Sequence, residues 1–240
     1  MHIRDSVALV TGANRGIGRA FVEALLDGGA RRVYATARDR ATLAAVVALD
    51  PGRVRPLTLD VTSASDAHAA AAAAPDVSLL VNNAAILGLG GPADVSVEAL
   101  RANMETNFFG TLHVTRALLP ALEAHRGAVV NMLTLVALVS MPALSAYNAS
   151  KAAALSLTQS LRAELRPRGV AVHGVFPGAV DTDMIRAFAL PKTPPIDVAR
   201  AVLAGIEAEV EDILPDPMAQ QVFAAWRHDP KAVERQFASM

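Results

Sequence analysis

An unbroken apolar run, Val7-Ala8-Leu9-Val10, passes directly into a glycine-rich turn, Thr11-Gly12-Ala13-Asn14-Arg15-Gly16-Ile17-Gly18, and this junction constrains the fold most. Consecutive apolar residues bounded by glycine fit a strand buried on both faces, and such strands belong in parallel sheets. Beyond the turn, Phe21, Val22, Leu25 and Leu26 recur at helical spacing and give one apolar face to a helix starting near Gly18. The alternation then repeats, with strands expected at residues 32–37, 54–59, 77–81, 128–133 and 170–176 and Ala/Leu-rich helical stretches between them. Parallel neighbours require long crossover connections, usually helical. The pattern therefore predicts a doubly wound α/β fold, a parallel sheet of about seven strands with helices on both faces.

Composition narrows the functional classes. The chain has 240 residues, 52% of them hydrophobic, enough for a sizeable core in a single domain over residues 1–240. It contains no cysteine, which excludes disulfides, a thiolate nucleophile and a thiolate metal site. A net charge of −1 without a basic stripe argues against nucleic acid and anionic membranes as partners. The six histidines lack metal-ligand spacing, so no metal is expected. The start, Met1-His2-Ile3-Arg4-Asp5-Ser6, leads into a run too short for a signal-peptide core. No stretch approaches the roughly 20 apolar residues of a membrane span, and the expectation is a cytoplasmic protein. After Pro191 the texture changes: a helix is expected near residues 197–208, a short strand near Ile213, and a helical tail over 216–240. The tail reads as an appendage of the one domain, with Trp226 as a packing anchor.

Glycines at a strand-to-helix junction let backbone approach a pyrophosphate, whose charge the free N–H groups of the helix start then bind. Gly12, Asn14, Arg15, Gly16, Ile17 and Gly18 are therefore expected at a dinucleotide cofactor. Its 2′ position should be met about 20 residues later, at the end of the second strand, where Arg38 stands. A guanidinium pairs bidentately with phosphate, whereas a carboxylate there would accept from a free ribose diol. Arg15 adds a second cation on the same side, so the expected cofactor is NADP(H). Asp39 could compete for the ribose, and is read as a solvated loop residue.

Tyr147 and Lys151 lie four positions apart, on one face if that segment opens a helix. A nearby ammonium favours the phenolate, and the pair can deliver a proton to a carbonyl oxygen as hydride reaches its carbon. Such a pair also occurs by chance on exposed helices. Its company is what distinguishes it: the glycine turn, Asp60 after the third strand, Asn82-Asn83-Ala84-Ala85 after the fourth, Asn107 in the long helix, and Pro177-Gly178-Ala179-Val180-Asp181-Thr182 after the sixth. With these motifs in this order and spacing, the sequence from about Val7 to Met184 resembles the short-chain dehydrogenase/reductase family.

The resemblance implies a role for each matching position. Tyr147 would be the general acid in reduction and the base in oxidation. Lys151 would bind the nicotinamide ribose and lower the tyrosine's pKa, and Asn107 would hold a water in the proton relay. Asp60, followed by Val61, would contact the adenine. Asn83 and Ala84 would pass beneath the cofactor, with Ala85 standing where the family usually has glycine. Pro177 and Gly178 would lead into Val180 and Thr182, which would touch the nicotinamide and its carboxamide. Where the family normally has serine, thirteen residues before the tyrosine, this chain has Thr134. Threonine keeps the hydroxyl that would bind the substrate oxygen, and its methyl group narrows the site.

Residues 183–195 are expected as the lid. They are short and apolar (Met184, Ile185, Phe188, Leu190), which suggests a hydrophobic substrate and a rather open site. The expected partner is a small carbonyl or alcohol, and the expected assembly a homodimer or homotetramer. The family's common glycine-containing terminal strand is replaced here by Asp212-Ile213-Leu214-Pro215-Asp216-Pro217 and the tail. The rival expectation is an NADP(H)-binding sensor with little or no turnover.

Overall fold

Successive residues of a strand face opposite ways, and here both faces are apolar. In the computed structural model, which describes residues 1–239, Ala8 and Val10 enter one core while Val7 and Leu9 enter another. The elements in chain order are β1 (Val7–Val10), α1 (Gly16–Asp27), β2 (Arg32–Ala37), α2 (Ala44–Val47), β3 (Val54–Thr58), α3 (Ala64–Ala73), β4 (Leu79–Asn82) and α4 (Val97–Met104). There follow α5 (Gly110–Ala124), β5 (Ala128–Met132), α6 (Ser145–Leu165), β6 (Ala171–Val175), α7 (Pro195–Glu207), β7 (Asp212–Ile213), α8 (Pro217–His228) and α9 (Pro230–Ala238). A π-helical turn, Glu105–Phe109, joins α4 to α5.

The strands form one seven-stranded sheet in the order β3-β2-β1-β4-β5-β6-β7, and every pairing is parallel. On one face α1 and α7 bury Phe21, Leu25, Val202 and Ile206 against Ala8, Val10, Val81 and Val130. On the other, α3, α5 and α6 bury Ala67, Ala70, Leu118, Leu122 and Leu165 against Val7, Leu9, Leu80 and Val129. Leu25 is fully buried, so truncation to alanine would cost about 2–5 kcal/mol. The Ala-rich α3 packs through its small residues; Ser63 caps it, accepting from the Asp66 N–H. Among the described residues no helix is long and apolar enough to cross a membrane.

Buried polar residues lock the sheet centre. Asn82 Nδ2 donates to Asn131 Oδ1 at 2.9 Å and to Thr115 Oγ1 at 3.0 Å, and Asn131 Nδ2 donates to Thr158 Oγ1 at 2.9 Å. These bonds tie the carboxyl ends of β4 and β5 to α5 and α6, and a satisfied buried network of this kind fixes one arrangement. Strand order reverses between β1 and β4, so the loops leaving them diverge and open a crevice at the carboxyl ends, where open α/β sheets bind ligands.

Candidate active site

The glycine turn forms one wall of the crevice. Gly12 has φ +63°, and a Cβ there would stand 3.1 Å from the Ala84 Cα. A Cβ on Gly18 would fall 2.1 Å from the Gly12 carbonyl oxygen, so no side chain fits. The loop after β4 holds the turn in place. Thr11 Oγ1 accepts from the N–H groups of Asn83 (2.9 Å) and Ala84 (3.0 Å), while Asn83 Nδ2 donates to the carbonyls of Thr11 (2.9 Å) and Gly12 (3.2 Å). No side chain caps α1 and its first turn carries no acid. Its leading N–H groups and positive dipole end thus suit an anion.

Arg38 stands exposed at the rim of the same crevice. Asp39, which could compete for the ribose, also lines the crevice, but its Oδ1 accepts from the Ala41 N–H at 2.9 Å and caps the following 3₁₀ turn. Arg15 reaches across the mouth to Asp183 at 3.4 Å, at the first residue of the expected lid. Asp60 Oδ1 accepts from the N–H (3.0 Å) and hydroxyl (2.8 Å) of Thr62.

Tyr147 and Lys151 sit in the first two turns of α6. Lys151 Nζ donates to the Met132 carbonyl at 2.7 Å and lies 5.7 Å from the centre of the Tyr147 ring. Burial decides both titrations in this arrangement. It raises the Tyr147 phenol above the ordinary tyrosine value and pushes the Lys151 ammonium down to about 8. The resemblance implies a lysine that depresses the tyrosine; here the ammonium is directed at a carbonyl, and loss of solvent outweighs it.

Thr134 lines the crevice just beyond β5, where its Oγ1 accepts a long 3.4 Å bond from the Val136 N–H. That bond occupies an acceptor site and leaves the hydroxyl proton uncommitted. Asn107 is 1% exposed within the π-helical turn. Its Oδ1 accepts from the Ile86 N–H, and its Nδ2 donates to the Ile86 carbonyl and to Ser150 Oγ, each at 2.9 Å. Ser150 Oγ in turn donates to the Tyr147 carbonyl at 2.8 Å. The Asn107 side chain is thus a brace between the β4 loop and α6, and its main-chain carbonyl accepts from the Thr111 hydroxyl at 3.0 Å.

All the residues singled out in the sequence line one cleft of about 860 Å³, except Gly18 and Asn107, which lie one layer behind it. Pro177, Gly178, Val180 and Thr182, in the loop after β6, line it together with Gly16, Ile17, Val61 and Ala85, and Gly16 lies close against Thr182. Met184, Ile185, Phe188 and Leu190 of the expected lid form an apolar wall. Among the described residues no group of three or more His, Asp or Glu side chains is arranged to hold a metal ion.

Sequence reasoning missed the contribution of the tail. Met218 and Phe237 both line the cleft. Asp216, 2% exposed, accepts from the Ala219 N–H at 2.8 Å to cap α8 and from the Gly178 N–H at 2.9 Å. The Asp216-Pro217 pair is a legible helix start, but nothing in the sequence reveals that its second partner is Gly178. Trp226 packs as expected, beside Val136, Val139, Val233 and Phe237. Phe237 thereby adds a ring from the tail to the apolar lining of the cleft.

Comparison with known proteins agrees with this geometry. A solved short chain dehydrogenase from Burkholderia cenocepacia, in complex with NADP, superposes with a TM-score of 0.93 at 40% identity, covering 99% of each chain. One from Burkholderia phymatum, in complex with NAD, gives 0.88 at 26% identity over 98% of this chain and 96% of that one. The D-erythrulose reductase of Gallus gallus is 36% identical over 217 residues, 89% of this chain and 87% of that protein. The family model described as short chain dehydrogenase matches residues 6–192, the stretch that runs from β1 through the glycine turn and Tyr147 to the expected lid. On sequence and fold together, the chain belongs to the short-chain dehydrogenase/reductase family of oxidoreductases.

Proposed function

We propose that this protein is an NADP(H)-dependent reductase of uncharged, hydrophobic carbonyl compounds, and the corresponding alcohol dehydrogenase in reverse. One observation carries the reading: Tyr147, Lys151 and Thr134 line the same cleft as the glycine turn and an exposed Arg38. The residues present fit the cofactor. The turn excludes side chains at Gly12 and Gly18, the α1 terminus offers N–H groups to a pyrophosphate, and Arg38 offers a guanidinium to a 2′-phosphate. Asp39 is committed to its own turn and does not compete.

When bound, the nicotinamide supplies or accepts the hydride. Tyr147, protonated across the neutral range because burial raises its pKa, is the group positioned in the cleft to pass a proton to the carbonyl oxygen. Thr134 donates its free hydroxyl proton to the same oxygen and orients the carbonyl. Lys151, anchored at Met132, keeps a cation beside the phenol and would hold the cofactor's ribose. Ser150 and Asn107 hold the Tyr147 backbone in place.

Steady-state oxidation of NADPH and of NADH across hydrophobic ketones, aldehydes and diketones tests the reading. Turnover with NADPH and little with NADH is the expected result. Tight NADPH binding without turnover on any member would favour the sensor reading instead.

A further inference from the structure

Helix α9 belongs to the part of the chain beyond the family match at residue 192. Asp229 caps it, accepting from the Ala232 N–H at 2.9 Å. Its Val233 and Phe237, one turn apart, are 3% and 7% exposed, and both pack against Val136 and Val139 in the turn that Thr134 opens. Tyr147 touches the same cluster. The tail therefore meets the cleft twice, through Met218 over Gly178 and through Phe237 in the cluster that Tyr147 joins.

Charge is divided sharply between the two ends of the cleft. Its charged side chains Arg15, Arg38, Asp39, Asp60 and Asp183 belong to the cofactor end and the mouth, and Lys151 lies beside Tyr147 at the seam between the two ends. The side chains that line the cleft from the turn after Thr134, from Met184, Ile185, Phe188 and Leu190, and from Met218 and Phe237 of the tail carry none. A carboxylate, phosphate or sulfonate on a substrate would have to shed its water there with no cation to replace it.

Resting on the reductase reading, we propose that Phe237 is a specificity-determining residue. It closes the substrate end of the cleft from within the same chain and sets the length of the apolar group carried beside the reacting carbonyl. A ring held by α9 on one side and by the Thr134 turn on the other is a fixed wall, so its size translates directly into the length accepted.

The test compares wild type, Phe237→Ala, Phe237→Leu and Phe237→Trp on 2-alkanones from 2-butanone to 2-undecanone, with NADPH. The expected order of the long-to-short kcat/KM ratio is Ala and Leu above Phe above Trp. Phe237→Ala should gain at least tenfold in that ratio while its NADPH affinity stays within twofold of wild type. Any other order, or overlaid profiles with cofactor binding intact, overturns the proposal. Should Phe237→Ala lose its helix docking, the Leu and Trp variants still decide the order. Failure of the reductase reading is separable, because Trp226, the one tryptophan, lies in the same cluster. Quenching of its fluorescence by the alkanones measures binding without turnover, and Phe237→Leu must shift the best-bound length upward there too. An unchanged best-bound length overturns the proposal even in a protein that reduces nothing.

Discussion

The two ends of the cleft are built by different means. At the cofactor end, backbone meets backbone: Gly18 abuts the Gly12 carbonyl, and Asn83 and Thr11 close the turn with hydrogen bonds. Each such position admits only one or a few residue types, so the requirement is written into the sequence at fixed spacing. The substrate end is made of apolar side chains from the Thr134 turn, residues 184–190, α8 and α9. Many apolar residues would fill those places, and such freedom leaves no motif. Steric and hydrogen-bonding necessity makes a site readable; hydrophobic enclosure conceals it.

The sharpest way to break this contrast is to change one side chain at each end. Gly18→Ala puts a carbon where the Gly12 oxygen lies, and should cost about 3 kcal/mol. By calorimetry that is a fall of roughly 10 °C in Tm, accompanied by loss of NADPH binding. Leu190→Ala, at a half-buried position of the apolar wall, should cost less than about 1 kcal/mol and leave cofactor affinity unchanged. Equal losses in the two variants would show that the ends are not built differently.

Cofactor choice gives the next largest effect. Arg38→Asp exchanges a phosphate-pairing group for one that accepts from a ribose diol. The ratio of kcat/KM for NADPH over NADH should fall by about 30-fold or more, equivalent to about 2 kcal/mol. An unmoved ratio would transfer the recognition to Arg15 or to the backbone.

Titration sharpens the contrast further, because the catalytic pair lies at the seam between the two ends. Burial holds Lys151 down at about 8, so its ammonium is present below that pH and lost above it. Since kcat/KM for NADPH reports the free enzyme, it should decline above about pH 8 in the direction of carbonyl reduction. The raised phenol of Tyr147 keeps its proton across the same range and adds no limb of its own there. A flat profile from pH 7 to 9.5 would contradict the lysine's part.

The smallest effect is expected from the conservative change of Thr134 to serine. Thr134→Ser keeps the hydroxyl and removes the methyl group, so activity should stay within about threefold of wild type, while Thr134→Val should lose roughly 10–100-fold. These ratios come from initial rates on the best ketone of the panel.

Much of the fold was legible for the reason the cofactor end was. Unbroken apolar runs between helical stretches admit a parallel sheet and little else, and seven strands in one parallel sheet are what the structure contains. Boundaries slipped where tertiary pairing overrides local pattern. The run expected from residue 77 pairs with β1 only from Leu79, opposite Ala8, and the run expected from residue 170 pairs only from Ala171, opposite Ala128. The π-helical turn at Asn107 was not foreseen, because the inward bonds of that side chain to Ile86 and Ser150 are set by packing and not by helical periodicity. Phe237 escaped for a related reason: its partners Val136 and Val139 lie about a hundred residues upstream, and no spacing rule joins them.

Tyr147→Phe tests the central assignment most directly, measured as single-turnover reduction with prebound NADPH beside an equilibrium titration of the cofactor. Removing the phenol should lower the rate by about 10²–10⁴-fold while the NADPH dissociation constant stays within threefold of wild type. A variant that reduces ketones at the wild-type rate would place the proton donor elsewhere and contradict the assignment of this cleft as a Tyr147-driven reductase site.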